Sequence, residues 1–399
     1  MTGLARCVGD VPTFLDRYWG RAPLFTEEAD PAAFRDLFSL EDVDRLVSSS
    51  FARLPAFRLV REGRPVPPSR YTRTARLGGQ TVSGVGDPGK VLDELQAGAT
   101  IVLQGLQRYW PPLSRFCRAL ELELTHPVQA NAYVTPAGSR GLSVHYDTHD
   151  VFVLQVAGGK EWAVHDPVLD DPLPSQPWSA ERGSPEPPFL SPKLLAGDSL
   201  YIPRGFLHSA QAQEDLSVHL TIGVLTQTWH DVLREVVAAA AEEPRFRQGL
   251  PAGFAHDSAG LARGVETTVA SLRRWLDEVD SASVAEKVAR KFWSSRTPML
   301  AGQLNRLLQV DSIRDTSVLR RREASICHVV PGEEVLTVVL GERELHMPPA
   351  LEPAIRRIAH GQQFVLSELR DLLDEESRLV LAKRLLREGL LEIVVADGA

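Results

Sequence analysis

At 399 residues the chain is longer than one hydrophobic core usually serves, so two or three domains are expected. A composition of 43% hydrophobic and 24% charged residues is that of an ordinary globular protein, and the net charge of −8 argues against bulk attraction to nucleic acid or anionic membranes. Cys7, Cys117 and Cys327 are too few and too scattered for a disulfide framework or a zinc site, no apolar run reaches 18 residues, and the N-terminus has no signal-peptide core. A cytoplasmic protein is expected.

In chain order, Phe14, Leu15, Tyr18 and Trp19 fall at helical spacing within residues 12–25, with Pro23 as the stop. Leu40, Val43 and Leu46 form a second stripe that Ser39 can cap. Residues 56–79 hold Arg58, Arg61, Arg64, Arg70, Arg73 and Arg76 with Tyr71. A solvated loop and strand edge accounts for them, and one tyrosine is too little aromatic interleaving for single-strand binding. A short helix over 90–95, a buried strand over 100–103 and an amphipathic helix over 113–122 follow.

The next hundred residues read as all-β, a sandwich or jelly-roll barrel. The expected strands are 129–134, 144–146, 151–156, 160–164, 199–202 and 217–223, with Gly158–Gly159 as a two-residue hairpin between two of them. The Pro-rich stretch 170–192 is a long loop or lid. Helical spacing returns with Trp229, Val232, Leu233, Val236, Val237 and Ala240, then runs from 257 to 284 through Leu261, Val265, Val269, Leu272 and Trp275. Those two or three helices cannot bury a core alone, so they pack on the β-domain or on a second copy. The last hundred residues give a hairpin (335–340 with 343–347), helical stripes at Leu351–Ile358, Leu366–Leu373 and Leu379–Leu386, a Gly389 cap and a strand over 391–395. That order predicts a winged helix. Its third helix mixes Arg378, Lys383, Arg384 and Arg387 with Glu375, Glu376 and Glu388, a poor surface for DNA.

The chemistry gathers in the β-region. His145 and Asp147 lie two apart in a predicted strand and so share a face. His208 follows the turn Pro203-Arg204-Gly205, and two histidines with one carboxylate suit non-haem Fe(II) and oxygen. A histidine and an aspartate at this spacing also arise by chance, and three features weigh against chance. GDSLYIPRGFLH (197–208) matches the glycine, proline, glycine and histidine of the second cupin motif, departing where Ala212 replaces the trailing asparagine. Lys160 follows the Gly158–Gly159 turn and can reach back to the ligand strand, and Asn131 and Tyr133 put polar groups on one face of an apolar strand. Asp150 is at odd spacing from His145 and points away; His149, His165 and His219 read as supporting or structural groups.

FLDRYWGRAPLF, ANAYVTPAGSRG, HYDTHDVFVLQVAGGKEWAVHDP and GDSLYIPRGFLHSA together resemble the JmjC-type cupin-like 2-oxoglutarate oxygenases, the ribosomal oxygenase group above all. The resemblance runs over nearly the whole chain. It implies an α+β protein: a double-stranded β-helix (cupin, jelly-roll, JmjC) catalytic domain over 1–226, a helical dimerisation domain over 227–300 and a winged-helix domain over 301–399. It implies that His145, Asp147 and His208 ligate Fe(II) and that Lys160 holds the distal carboxylate of 2-oxoglutarate, with O2 as the second co-substrate. The charges of Fe(II), one aspartate, dianionic 2-oxoglutarate and one lysine then cancel. Asn131 is a further candidate for the co-substrate pocket, with Thr221 and Ser217 weaker ones for the same wall, and Tyr133 for the substrate side. No catalytic residue beyond the metal ligands is assigned. The implied activity is hydroxylation of a histidine or arginine side chain in a ribosomal protein or other peptide, by a homodimer that binds neither membrane nor DNA directly. Two alternatives stand beside it: a non-enzymatic cupin scaffold that binds partners, and an oxygenase acting on a small molecule or natural-product peptide.

Overall fold

A computed structural model describes residues 2–28, 30–48, 53–361 and 363–394. The chain divides into two compact units, Met1–Thr226 and Gln227–Ala399.

The first unit opens with α1 (Gly3–Val8) and α2 (Val11–Arg17), the latter capped by the Asp10 side chain on Thr13 N–H. The helix stops well before Pro23, because the chain turns at Gly20 with φ +64° and then enters β1 (Leu24–Thr26). α3 (Leu40–Ser48) begins as expected, with Ser39 Oγ accepting from Asp42 N–H. The arginine-rich stretch forms β2 (Phe57–Arg61), β3 (Arg64–Pro65) and β4 (Thr72–Leu77), followed by β5 (Gln80–Gly86). Arg61 and Arg70 both pair with the buried Glu94 carboxylate. Next come α4 (Pro88–Gln96), β6 (Thr100–Leu103) and α5 (Pro111–Leu124). The β-region supplies β7 (Val128–Thr135), β8 (Asp150–Ala157), β9 (Lys160–Pro167), β10 (Lys193–Leu194), β11 (Ser199–Ile202), β12 (Phe206–Ala212) and β13 (Ser217–Val224).

Two sheets result. The larger runs β1-β11-β8-β13-β7-β6-β2-β3 and the smaller β10-β9-β12, every neighbour antiparallel. Alternation along each strand divides the large sheet into two faces. Leu59, Ile101, Ala130, Ala132, Phe152, Leu154, Leu220 and Ile222 enter one core with Leu4, Phe14, Leu113 and Leu120 of the helices. Val151, Val153 and Leu200 turn the other way, onto Trp162 and Val164 of the small sheet.

Two expectations fail here. β8 and β9 do not pair, so Gly158–Gly159 is no hairpin turn but the crossing from one sheet to the other. Gly158 sits at φ +63°, and a Cβ there would lie 2.3 Å from the Leu216 carbonyl oxygen. The segment 144–146 is not a strand either. It makes an isolated bridge, His145 to His208, inside a loop. β12, which carries His208, escaped the sequence reading because Pro203 and Gly205 mask the short apolar alternation that follows them.

In the second unit, α6 (Trp229–Ala239) has a capping box at Thr228 and Asp231, and the periodic stretch 257–284 is broken into α7 (Ser258–Leu276) and α8 (Ser281–Ser294) by the Asp280 cap. After α9 (Gln303–Leu307) come β14 (Val318–Arg321), β15 (His328–Val330), β16 (Leu336–Val339) and β17 (Glu344–Met347). α10 (Glu352–His360), β18 (Gln363–Val365), α11 (Glu375–Arg387) and β19 (Leu391–Ile393) complete it. The expected hairpin is present, widened to β15-β16-β17, and a second small sheet runs β18-β14-β19. The Leu366–Leu373 stripe is not an α-helix: Leu366–Leu369 is one 3-10 turn. The last strand ends at Ile393, and Val395 lies outside the described residues.

Candidate metal centre and its anion pocket

His145, Asp147 and His208 meet at one end of the barrel, their ligand atoms all within 4.8 Å of one another. His208 is fixed by β12, which pairs with β9. His145 is held by two backbone hydrogen bonds to His208, 3.1 and 2.8 Å long, so one bridge brings both imidazoles together without a regular strand. The Asp147 carbonyl accepts from Gly205 N–H at 3.0 Å, which ties the third ligand to the turn before His208.

Tautomers follow from the hydrogen bonds. His145 Nδ1 is 2.8 Å from the Ser143 carbonyl and His208 Nδ1 is 3.0 Å from the Phe206 carbonyl. A carbonyl only accepts, so each Nδ1 carries the proton and each Nε2 keeps its lone pair for a ligand. His208 Nε2 lies 3.7 Å from Asp147 Oδ2. Burial and the neighbouring His145 depress the His208 imidazole to about 4, against the opposing pull of Asp147. Burial works to raise the Asp147 carboxyl, yet His208, His149 and His145 around it leave it below the usual range. With both imidazoles in the neutral form, the trio offers two nitrogen lone pairs and one carboxylate in a partly open site. That donor set fits a divalent metal of the iron class.

Lys160 enters the same pocket from the start of β9. It is buried, and its Nζ donates to Thr135 Oγ1 at 3.0 Å and stands 3.3 Å from His219 Nδ1. No carboxylate pairs with it among the described residues, and burial pushes its pKa down to about 7. The same burial, with Lys160 beside it, holds His219 well below its ordinary value. A buried ammonium without a counter-ion is costly. A bound carboxylate would remove that cost.

The register explains who shares the pocket. Tyr133 pairs with His219 and Asn131 with Thr221, while Thr135 lies one step further along the same face. Tyr133 stacks on His219 with ring centroids 4.9 Å apart, and Thr221, Trp162, Leu142, Val151 and Val153 join the wall. Asn131 does not reach it: its amide oxygen accepts from Gly105 N–H at 3.0 Å. Ser217 likewise faces Gln155. His219, read in the sequence as a supporting or structural group, lines the pocket; Thr135, the acceptor for Lys160, was missed, although the alternation that exposed Asn131 and Tyr133 continues to it. Asp150 accepts from Tyr201 and Arg204 rather than facing the trio, and His165 is bonded to the Glu186 carbonyl. His149 packs on Gly223, where a Cβ would lie 2.7 Å from the ring. The pocket adjoins a cleft of about 1060 Å³ bordered by Arg61, Arg140, Glu161 and Gln211, the two sharing Leu142, Trp162, Ser209 and Ala210.

Such a barrel, with two histidines and an aspartate at one end, is the architecture of the JmjC domain, and residues 103–232 match that family. The chain is also similar to ribosomal oxygenases. It is 30% identical over 317 residues to Ribosomal oxygenase 1 of Gallus gallus, covering 74% of this chain and 51% of that protein. It is 26% identical over 350 residues to the bifunctional lysine-specific demethylase and histidyl-hydroxylase NO66 of Dictyostelium discoideum, covering 82% of this chain and 66% of that one. The chain therefore spans about half to two thirds of these relatives. Its fold is also that of Escherichia coli YcfD (TM-score 0.55, 16% identity, 96% of this chain and 98% of that one), a ribosomal oxygenase also solved with cobalt and 2-oxoglutarate.

Proposed function

We propose that the chain is an Fe(II)- and 2-oxoglutarate-dependent oxygenase that hydroxylates a histidine or arginine side chain of a protein, with ribosomal proteins as the substrate class. The observation that carries this reading is the pairing of two Nε2-presenting histidines and one carboxylate with a buried, uncompensated lysine in one pocket. His145, Asp147 and His208 hold the metal, which supplies oxidative decarboxylation of the keto acid coupled to oxidation of an unactivated C–H. Lys160, steadied by Thr135, takes the distal carboxylate, and Thr221 and Tyr133 complete the walls. Trp162, Leu142 and Val153 keep water from that end, and the adjoining cleft receives the substrate segment. The names of the relatives support a ribosomal-protein target.

The second unit serves assembly in this reading. Trp229, Leu233 and Val237 of α6 recur every four residues and are 82%, 61% and 56% exposed, so the 227–300 helices supply a homodimer face to a second copy. The 301–399 region, with α11 beside two small sheets, is the winged helix. Arg378 is committed to Asp315 and Arg384 to Glu388, which supports a structural or protein-contact role over DNA binding. The three cysteines are free, in keeping with a cytoplasmic setting, and no described helix is long and apolar enough to cross a membrane.

Incubation with Fe(II), 2-oxoglutarate and ascorbate should release succinate, and His208→Ala should reduce release at least a hundredfold. Ribosomal proteins treated with the enzyme should gain the mass of one oxygen. Folded protein that releases no succinate, with or without ribosomal protein, overturns the reading.

A further inference from the structure

Asp147 and His208 both depend on the 203–205 turn: Gly205 N–H holds the Asp147 carbonyl, and β12 starts at Phe206. That turn has its own anchor. The buried Asp150 carboxylate accepts from Arg204 N–H at 2.9 Å through Oδ1 and from the Tyr201 hydroxyl at 2.8 Å through Oδ2. Tyr201 is itself fully buried, and its hydroxyl accepts from Gly20 N–H at 2.8 Å. Trp19 stacks on its ring at 5.9 Å, and Phe14 meets it edge-on at 4.8 Å. A continuous chain of hydrogen bonds thus runs from the N-terminal segment through Tyr201 and Asp150 to the turn that sets two of the three ligands.

We propose that Asp150 is a positioning residue for the metal centre, fixing the Arg204–Gly205 turn through its carboxylate and drawing its own rigidity from Tyr201 and the Gly20 backbone. The residue touches neither metal nor substrate. Its effect is on how well Asp147 and His208 are preorganised, and partners of this kind commonly govern metal affinity by about 10–100-fold. Asn at this position keeps the shape but turns one acceptor into a donor, so either Arg204 N–H faces a donor or the Tyr201 hydroxyl must turn to accept and loses its own acceptor. Phe at 201 removes one bond to Asp150 and orphans Gly20 N–H.

The inference rests on the metal assignment above, and the test separates the two. Co(II) binding to the full chain is titrated by calorimetry and by visible absorption, alongside the melting temperature of the metal-free protein. Asp150→Asn should weaken Co(II) binding at least tenfold and alter the d–d spectrum. Tyr201→Phe should weaken it in the same direction but less, and the double variant should bind no more weakly than Asp150→Asn alone. Variants that melt lower yet bind Co(II) with wild-type affinity and spectrum overturn the proposal, since a purely structural role would do just that. Should Asp150→Asn not fold, Tyr201→Phe decides by the same two readouts. Wild-type protein that binds no Co(II) would sink the metal assignment instead.

Discussion

Lys160 is the residue whose surroundings ask most clearly for a ligand. Its folded pKa of about 7 lies below the ordinary lysine value of 10.5, so between those limits the unfolded chain holds a proton that the folded chain lacks. Stability of the ligand-free protein should therefore rise with pH across about 7 to 10.5 and be lowest below 7, where the charge stays buried. Denaturant titrations at pH 6.5 and 9 check the sign. Binding of 2-oxoglutarate in the proposed pocket should show the converse, because an anion favours the ammonium. Above pH 7 the free site must first take up a proton, and the dissociation constant should grow about tenfold per pH unit until the complex itself titrates. A constant affinity from pH 7 to 9 would show that Lys160 either keeps its charge in the empty pocket or is not the anion's partner, and Lys160→Met separates the two. Lys160→Met should lose 2-oxoglutarate affinity while leaving the empty protein as stable or more so, since an uncompensated charge has been removed.

At the scale of elements, the site depends on crossings rather than on strands. β8 and β9 are consecutive yet belong to opposite sheets, and this places Val153 of one across from Trp162 of the other with Lys160 beside them. Gly158 makes the crossing possible, at φ +63° and against the Leu216 carbonyl. Gly158→Ala should cost roughly 1–3 kcal/mol from the left-handed backbone alone, with more from the 2.3 Å approach, and should lower 2-oxoglutarate affinity by shifting Lys160. Chemical denaturation together with ligand titration tests both effects. A two-residue loop flanked by apolar runs reads as a hairpin in any sequence, because loop length reports only that the chain reverses. Whether it reverses within a sheet or between sheets depends on which strands lie alongside, and β11 and β13 already occupy both edges of β8.

For the whole molecule, the proposed dimer rests on the helical region. Trp229, Leu233 and Val237 of α6 are more than half exposed, whereas Leu385 and Leu386 of α11 are fully buried. Replacing Leu233 by Asp should shift the protein from dimer to monomer, read by light scattering after size exclusion, with little change in succinate release per site when no protein substrate is added. A wild-type protein that is already monomeric would remove the dimer from the proposal.

His145, Asp147, His208 and Lys160 could be singled out in the sequence from the two-residue spacing of the first pair, the GDSLYIPRGFLH motif and the place of Lys160 after Gly158–Gly159, although of the four only Lys160 lies on a strand that the alternation announced. The jelly-roll class and the change to helices after Thr226 were legible because periodicity records what each element buries. Tertiary structure alone decided the rest. The His145–Asp147 pair works through a single bridge in a loop, where strand spacing has no authority. Thr135 and His219 became neighbours of Lys160, and Asn131 was turned onto Gly105, through the register between strands far apart in the chain. Local pattern fixes which face a side chain takes; only the packing of distant segments fixes what it finds there.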